Sequence, residues 1–159
     1  MNKILILGID GMLGSMVADV FSQKSSGKLF FTSRRDKHSY EGLNGEIISF
    51  EALSNGFSNL ASMVQPSHVI NCIGAIKPRI NEIDNESIIN AQTINSYLPL
   101  NIAKSANELN FKYLQIGTDC VFNGTTGMYD EESNTDADDI YGKTKIAGEI
   151  SADNKTIIR

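Results

Sequence analysis

The chain has 159 residues and a formal net charge of −5, enough length for one domain with a substantial core and too acidic a balance for a nucleic-acid surface, which needs a basic face. No apolar run approaches the roughly 18 residues of a membrane span. Cys72 and Cys120 are far apart in sequence, offer neither metal-ligand spacing nor a disulfide framework, and read as free thiols of a reducing cytoplasm.

The first residues, up to Gly8, are too short and too regular for a leader and suit a buried strand, Ile4–Leu7. A glycine turn follows, then a helix over Met12–Phe21 with Leu13, Val17, Val20 and Phe21 on one face. Nearly continuous apolar runs at Leu29–Thr32, Glu46–Phe50, His68–Ile73 and Phe111–Ile116 read as parallel strands buried on both faces. Thr156–Ile158 makes a sixth. Ser87–Leu109 carries helical spacing, and Pro99 within it predicts a bend. Asp139–Ile150 predicts a further helix, with Asp138 or Asp139 as its N-cap. Strand–helix alternation of this kind predicts an α/β doubly wound parallel sheet, the Rossmann arrangement, as one domain over residues 1–159 with no repeat or linker.

Two long loops, Gly74–Glu86 and Thr118–Asp138, leave the carboxyl ends of strands, where open α/β sheets bind ligands. The acidic end of the second loop (Asp130, Glu131, Glu132, Asp136, Asp138) reads as a solvated loop and helix cap, so no metal is expected. Lys77 and Arg79 read as solvated charges, with a substrate diphosphate as the alternative. His68, at a strand start, and His38, in a loop, carry no functional reading.

Gly8, Gly11 and Gly14 are spaced GxxGxxG between a strand and a helix. Glycine permits a tight turn and a close backbone approach, and the helix N-terminus then presents N–H groups to a phosphate. The segment therefore predicts a dinucleotide pyrophosphate site, Met12 and Leu13 included. Asp10 sits awkwardly there, since a carboxylate repels phosphate unless it points away. At the end of the second strand, Ser33 and Arg34 favour NADP, while Asp36 leaves NAD open.

Tyr141 and Lys145 stand four apart, on one face of the last helix. A phenol is a poor acid–base group at neutral pH, and a neighbouring ammonium favours its phenolate. Thr118, just past the fifth strand, places a hydroxyl for the same substrate oxygen.

With these segments (GIDGMLG at 8–14, VINCIG at 69–74, Asn95 with Pro99, IGTDCVFNG at 116–124, YGKTKIAGE at 141–149), the chain resembles the extended short-chain dehydrogenases/reductases. Within them it is most similar to the dTDP-4-dehydrorhamnose reductase-like branch of sugar-nucleotide enzymes. The resemblance implies an NAD(P)-dependent reductase of a nucleotide-linked ketosugar. Tyr141 would be the proton donor, Lys145 would bind the nicotinamide ribose, and Thr118 would fill the family's Ser/Thr position. Asn95 would fill a helix-asparagine position beside them. Asn71, Cys72, Ile73 and Gly74 would pass along the cofactor, and Glu51 would stand near the adenine.

The sequence departs from the family pattern at Asp10, at Ile73 and Gly74 in place of alanines, at Cys120 in place of a tyrosine, and in the lead-in Asp138–Ile140, which lacks proline. Family members continue past the last strand into segments that build most of the sugar-nucleotide pocket. The resemblance thus implies a cofactor-binding portion of a longer enzyme, with a surface open to self-association as a homodimer. An epimerase of the same superfamily and a non-catalytic NADP-binding regulatory subunit stand as alternatives. A dehydratase is disfavoured, because Asp119 has no glutamate partner at Cys120.

Overall fold

The computed structural model describes residues 2–35, 40 and 42–159; Asp36 and His38 lie outside the described residues. Six parallel strands form one sheet: β1 (Lys3–Leu7), β2 (Lys28–Ser33), β3 (Glu46–Ser49), β4 (His68–Asn71), β5 (Lys112–Ile116) and β6 (Lys155–Ile158). Their order is β3-β2-β1-β4-β5-β6. The chain thus winds outward from β1 in one direction and then from β4 in the other, leaving a switch point between these two strands. Register is continuous across it, with Leu7 beside Asn71 and Asn71 beside Gln115.

Strand period two sends Leu5 and Leu7 to one face and Ile6 to the other. The first face is covered by α2 (Phe57–Val64) and α4 (Leu98–Leu109), which contribute Phe57, Leu60, Ala61 and Val64, and Leu98, Ile102, Ala103 and Ala106. The second is covered by α1 (Met12–Lys24) over Ile6, Leu29, Phe31 and Ile70. On that side an open groove of about 540 Å³ lies by Ile4, Phe21, His68, Ile70 and Leu114. His68 shares a 3.0 Å hydrogen bond with the Ser67 hydroxyl.

Several expectations change. Helix α1 does not bury Leu13 and Val20, which are exposed; its inner face is Gly14 and Ala18, flanked by Val17 and Phe21. Small residues let the helix axis approach β1, and the large apolar ones are rotated outward. Helix α2 was not among the predicted elements, although Phe57, Leu60, Ala61 and Val64 repeat at i, i+3, i+4 and i+7. The long helix is three pieces: α3 (Asn85–Gln92), a π-turn at Thr93–Tyr97, and α4. The irregularity precedes Pro99. Proline has no N–H for the Asn95 carbonyl four residues back, and the wider turn absorbs that loss.

The last helix, α5 (Ile140–Gly148), starts from Asp139, whose carboxylate accepts the Gly142 N–H at 2.7 Å. It ends at Gly148, before Ile150. Strand β4 stops at Asn71 and not Ile73. Among the described residues no helix is long and apolar enough to cross a membrane.

Candidate functional site

All the expected site residues gather along the carboxyl edge of the sheet or on the helices that rise from it. At the switch point, Gly8 has φ +83°, a left-handed conformation that favours glycine. A Cβ on Gly8 would meet Ile73 Cγ1 at 2.6 Å, and one on Gly14 would meet the Gly8 carbonyl oxygen at 2.1 Å. The fold itself therefore requires both glycines. Gly11 differs: a Cβ there would have only the Gly8 oxygen near, at an ordinary 3.6 Å. Among the described residues nothing demands glycine at 11.

Helix α1 begins at this residue with no side-chain cap and no acid in its first turn, whereas Asp84 and Asp139 cap α3 and α5. An uncapped helix N-terminus facing a cleft is an anion-binding arrangement. Met12, 84% exposed, and Leu13, also exposed, are the first two residues of α1.

The carboxylate of Asp10 turns away from this N-terminus. It accepts the Ser33 hydroxyl at 2.7 Å and the Arg34 backbone N–H at 2.9 Å, and it also accepts the Tyr40 hydroxyl. The awkward acid of the glycine turn is thus directed to the end of β2. Burial raises its pKa, but the hydrogen bonds from Tyr40, Arg34 and Ser33 outweigh this and hold it below the ordinary value. Arg34 is exposed and reaches two carboxylates, Asp10 at 3.9 Å and Glu51 at 3.7 Å. Ser33 is buried, with its hydroxyl committed to this cluster.

On the other side of the switch point, Asn71 is fully buried and donates to Gln115 at 2.9 Å, so its side chain is held inside the sheet. Cys72 is half-buried, and burial pushes its thiol up to about 11. Neither cysteine is in a disulfide. Ile73 packs on Gly8, and Gly74 is exposed.

Asn95 leaves the π-turn and pins three segments. Its side chain donates to the Ala75 carbonyl at 3.0 Å and to the Thr144 hydroxyl at 3.1 Å, and accepts the Ala75 N–H at 2.9 Å. It is 3% exposed, so it supports the loop after β4 and helix α5 and does not face the cleft. A Cβ on Gly148 would lie 2.0 Å from the Asn95 carbonyl oxygen, which shows how closely α5 crosses the π-turn.

Tyr141 and Lys145 do share one face of α5. Lys145 is buried and donates to the Ile116 carbonyl at 2.9 Å, and burial lowers its pKa. Thr118 stands two residues on, with its hydroxyl oxygen accepting the Cys120 N–H at 3.2 Å. Tyr141 is half-buried, in the first turn of α5. Lys77 pairs with Asp139 at 2.6 Å, so it braces the start of α5. Arg79 is exposed.

The sequence reading missed Tyr40, Thr144 and Gly148. Tyr40 and Thr144 have no local signal, since each acts on a partner distant in sequence. Gly148, a glycine inside a helical pattern, is a recognisable mark of close packing.

Residues 1–158 match the family described as RmlD substrate binding domain. The chain belongs to that family. It is 29% identical over 148 residues to methionine adenosyltransferase 2 subunit beta of Rattus norvegicus, covering 93% of this chain and 42% of that protein. It is 29% identical over 154 residues to dTDP-4-dehydrorhamnose reductase of Mycolicibacterium smegmatis, covering 93% and 40%.

Among solved structures, a hypothetical dTDP-4-dehydrorhamnose reductase from Sulfolobus tokodaii superposes with a TM-score of 0.82 at 21% identity, over 99% of this chain and 54% of the other. The Bordetella bronchiseptica enzyme WbmG, in complex with NAD and UDP, gives 0.75 at 22%, over 92% and 47%. The chain spans about two-fifths of the length of these curated relatives.

Proposed function

We propose that this chain holds a nicotinamide dinucleotide across the carboxyl ends of β1 and β4 and serves an oxidoreductase acting on a nucleotide-linked ketosugar. The observation that carries the reading is Gly11. It opens an uncapped helix, and no atom of the described residues requires it to be glycine. A backbone kept bare against a ligand has this signature. The α1 N–H groups and their dipole would hold the pyrophosphate. Ile73 and Gly74 would border the cofactor on the β4 side.

When bound, the reduced nicotinamide supplies a hydride to a carbonyl carbon. The chain's part is the proton. Tyr141 would give its phenolic proton to the carbonyl oxygen, with the Thr118 hydroxyl donating a hydrogen bond to the same oxygen. Lys145, now bonded to Ile116, would hold the ribose and favour the phenolate left behind. Asn95 would fix α5, and so Tyr141, against the loop after β4.

The test is titration with NADH and NADPH, followed by reduction of a dTDP-linked 4-ketosugar by the protein that carries this segment. Binding, with turnover lost in Tyr141→Phe, supports the reading. Absence of binding at millimolar dinucleotide overturns it.

The 29% identity to a methionine adenosyltransferase subunit favours a second reading, a dinucleotide-binding regulatory subunit. It predicts binding without turnover, and a stable hetero-complex on size-exclusion chromatography that survives Tyr141→Phe.

A further inference from the structure

We propose that Asp10 reads the adenine-side ribose of the dinucleotide and selects NAD over NADP. This rests on the dinucleotide reading above and concerns only which dinucleotide is taken.

In open α/β sheets the end of the second strand meets this ribose, where an acidic side chain accepts from the 2′-hydroxyl. Here β2 ends in Ser33, which has no charge. The glycine turn supplies the acid instead. Asp10 places its carboxylate at the end of β2, bonded to Ser33 Oγ and to the Arg34 N–H, with the Tyr40 hydroxyl closing the cluster.

A carboxylate has about four acceptor positions. The Ser33 and Tyr40 hydroxyls use the two on Oδ1, and the Arg34 N–H uses one on Oδ2. Among the described residues Oδ2 keeps one position for a further donor, which a 2′-hydroxyl supplies and a 2′-phosphate does not. The Asp10 side chain is 13% exposed, so its position is set by these bonds.

The opposing feature is Arg34, with Arg35 beside it. Arg34 is 61% exposed and lies at ion-pair distance, with no side-chain hydrogen bond, from both Asp10 and Glu51. Its charge already faces two carboxylates. A 2′-phosphate brought to it would also meet the fixed Asp10 anion, and such like-charge contact is strongly unfavourable. Arg35 adds a favourable field at Asp10 but no hydrogen bond from its side chain to that carboxylate among the described residues. Ser33, whose hydroxyl is tied to Asp10, is not free to receive a phosphate.

Calorimetric titration of the protein with NADH and with NADPH tests this without any turnover. We expect NADH to bind at least about tenfold more tightly, and Asp10→Ser to narrow the ratio by about tenfold through a gain in NADPH affinity. Asp10→Asn, close in shape but uncharged, gives the same readout if the serine variant does not fold. Equal affinities, an NADPH preference lost in Arg34→Ala, or a ratio unmoved by either Asp10 variant would overturn the selection by Asp10 while leaving dinucleotide binding intact. Failure to bind either dinucleotide removes the cofactor reading, and this inference with it.

Discussion

Among the described residues, helix N–H groups and one oxygen of Asp10 at the glycine turn stop short of saturation, whereas at the crossing of α5 over the π-turn the side-chain amide of Asn95 and the Thr144 hydroxyl are engaged inside the protein. The same contrast holds for glycines. Gly148 and Gly14 are enforced by backbone carbonyls 2.0 and 2.1 Å from a Cβ position, while Gly11 has ordinary space. The first region keeps capacity for a ligand. The second spends its polar groups on holding Tyr141 and Lys145 relative to the sheet. A shared edge can thus carry a reading surface and a positioning frame without either disturbing the other.

The largest effect expected is at Gly14. The obstacle to Gly14→Ala is backbone, so relief requires moving α1 off β1, and a loss of about 3 kcal/mol is expected in urea denaturation. Gly11→Ala should leave the unfolding free energy within about 1 kcal/mol of the parent while weakening dinucleotide binding. Equal destabilisation by both would break the contrast between packing and ligand glycines.

Asn95→Ala comes next. It removes three hydrogen bonds and leaves the Ala75 N–H and carbonyl to find other partners, for an expected loss of about 2 kcal/mol by the same measurement. A loss under half of that would show that the frame does not depend on the asparagine.

The smallest is Asp139→Ala, about 1 kcal/mol at neutral pH from the lost helix cap. Its sign with pH follows from the bonds. The Gly142 N–H first, and then Lys77, hold the Asp139 carboxyl below its ordinary value, so its contribution is complete above about pH 4 and fades as pH falls through the folded-state value. Melting curves of parent and variant should therefore converge in acid. A gap that persists there would assign the effect to packing and not to the carboxylate.

Much of this architecture was legible locally. The apolar runs of β1, β2, β4 and β5, and the cap at Asp139, depend on near neighbours in sequence, and they recur in the structure within a residue or two. Tyr141 and Lys145 needed only helical spacing. The Leu13 and Val20 expectation failed because periodicity reports an apolar face but not how close the helix must lie, and Gly14 with Ala18 set that distance. Pro99 announced an irregularity, yet the compensating turn fell ahead of it, where the Asn95 carbonyl lies against α5.

What the sequence by itself determined is the doubly wound sheet, the glycine turn at its first strand and the Tyr141–Lys145 spacing, because each follows from residues within a turn or a strand of one another. Only the tertiary structure decided where Asp10 points, that Ser33 is engaged, and that Asn95 supports the site from behind. Those outcomes depend on hydrogen bonds between residues 20 to 49 positions apart, which no local pattern encodes.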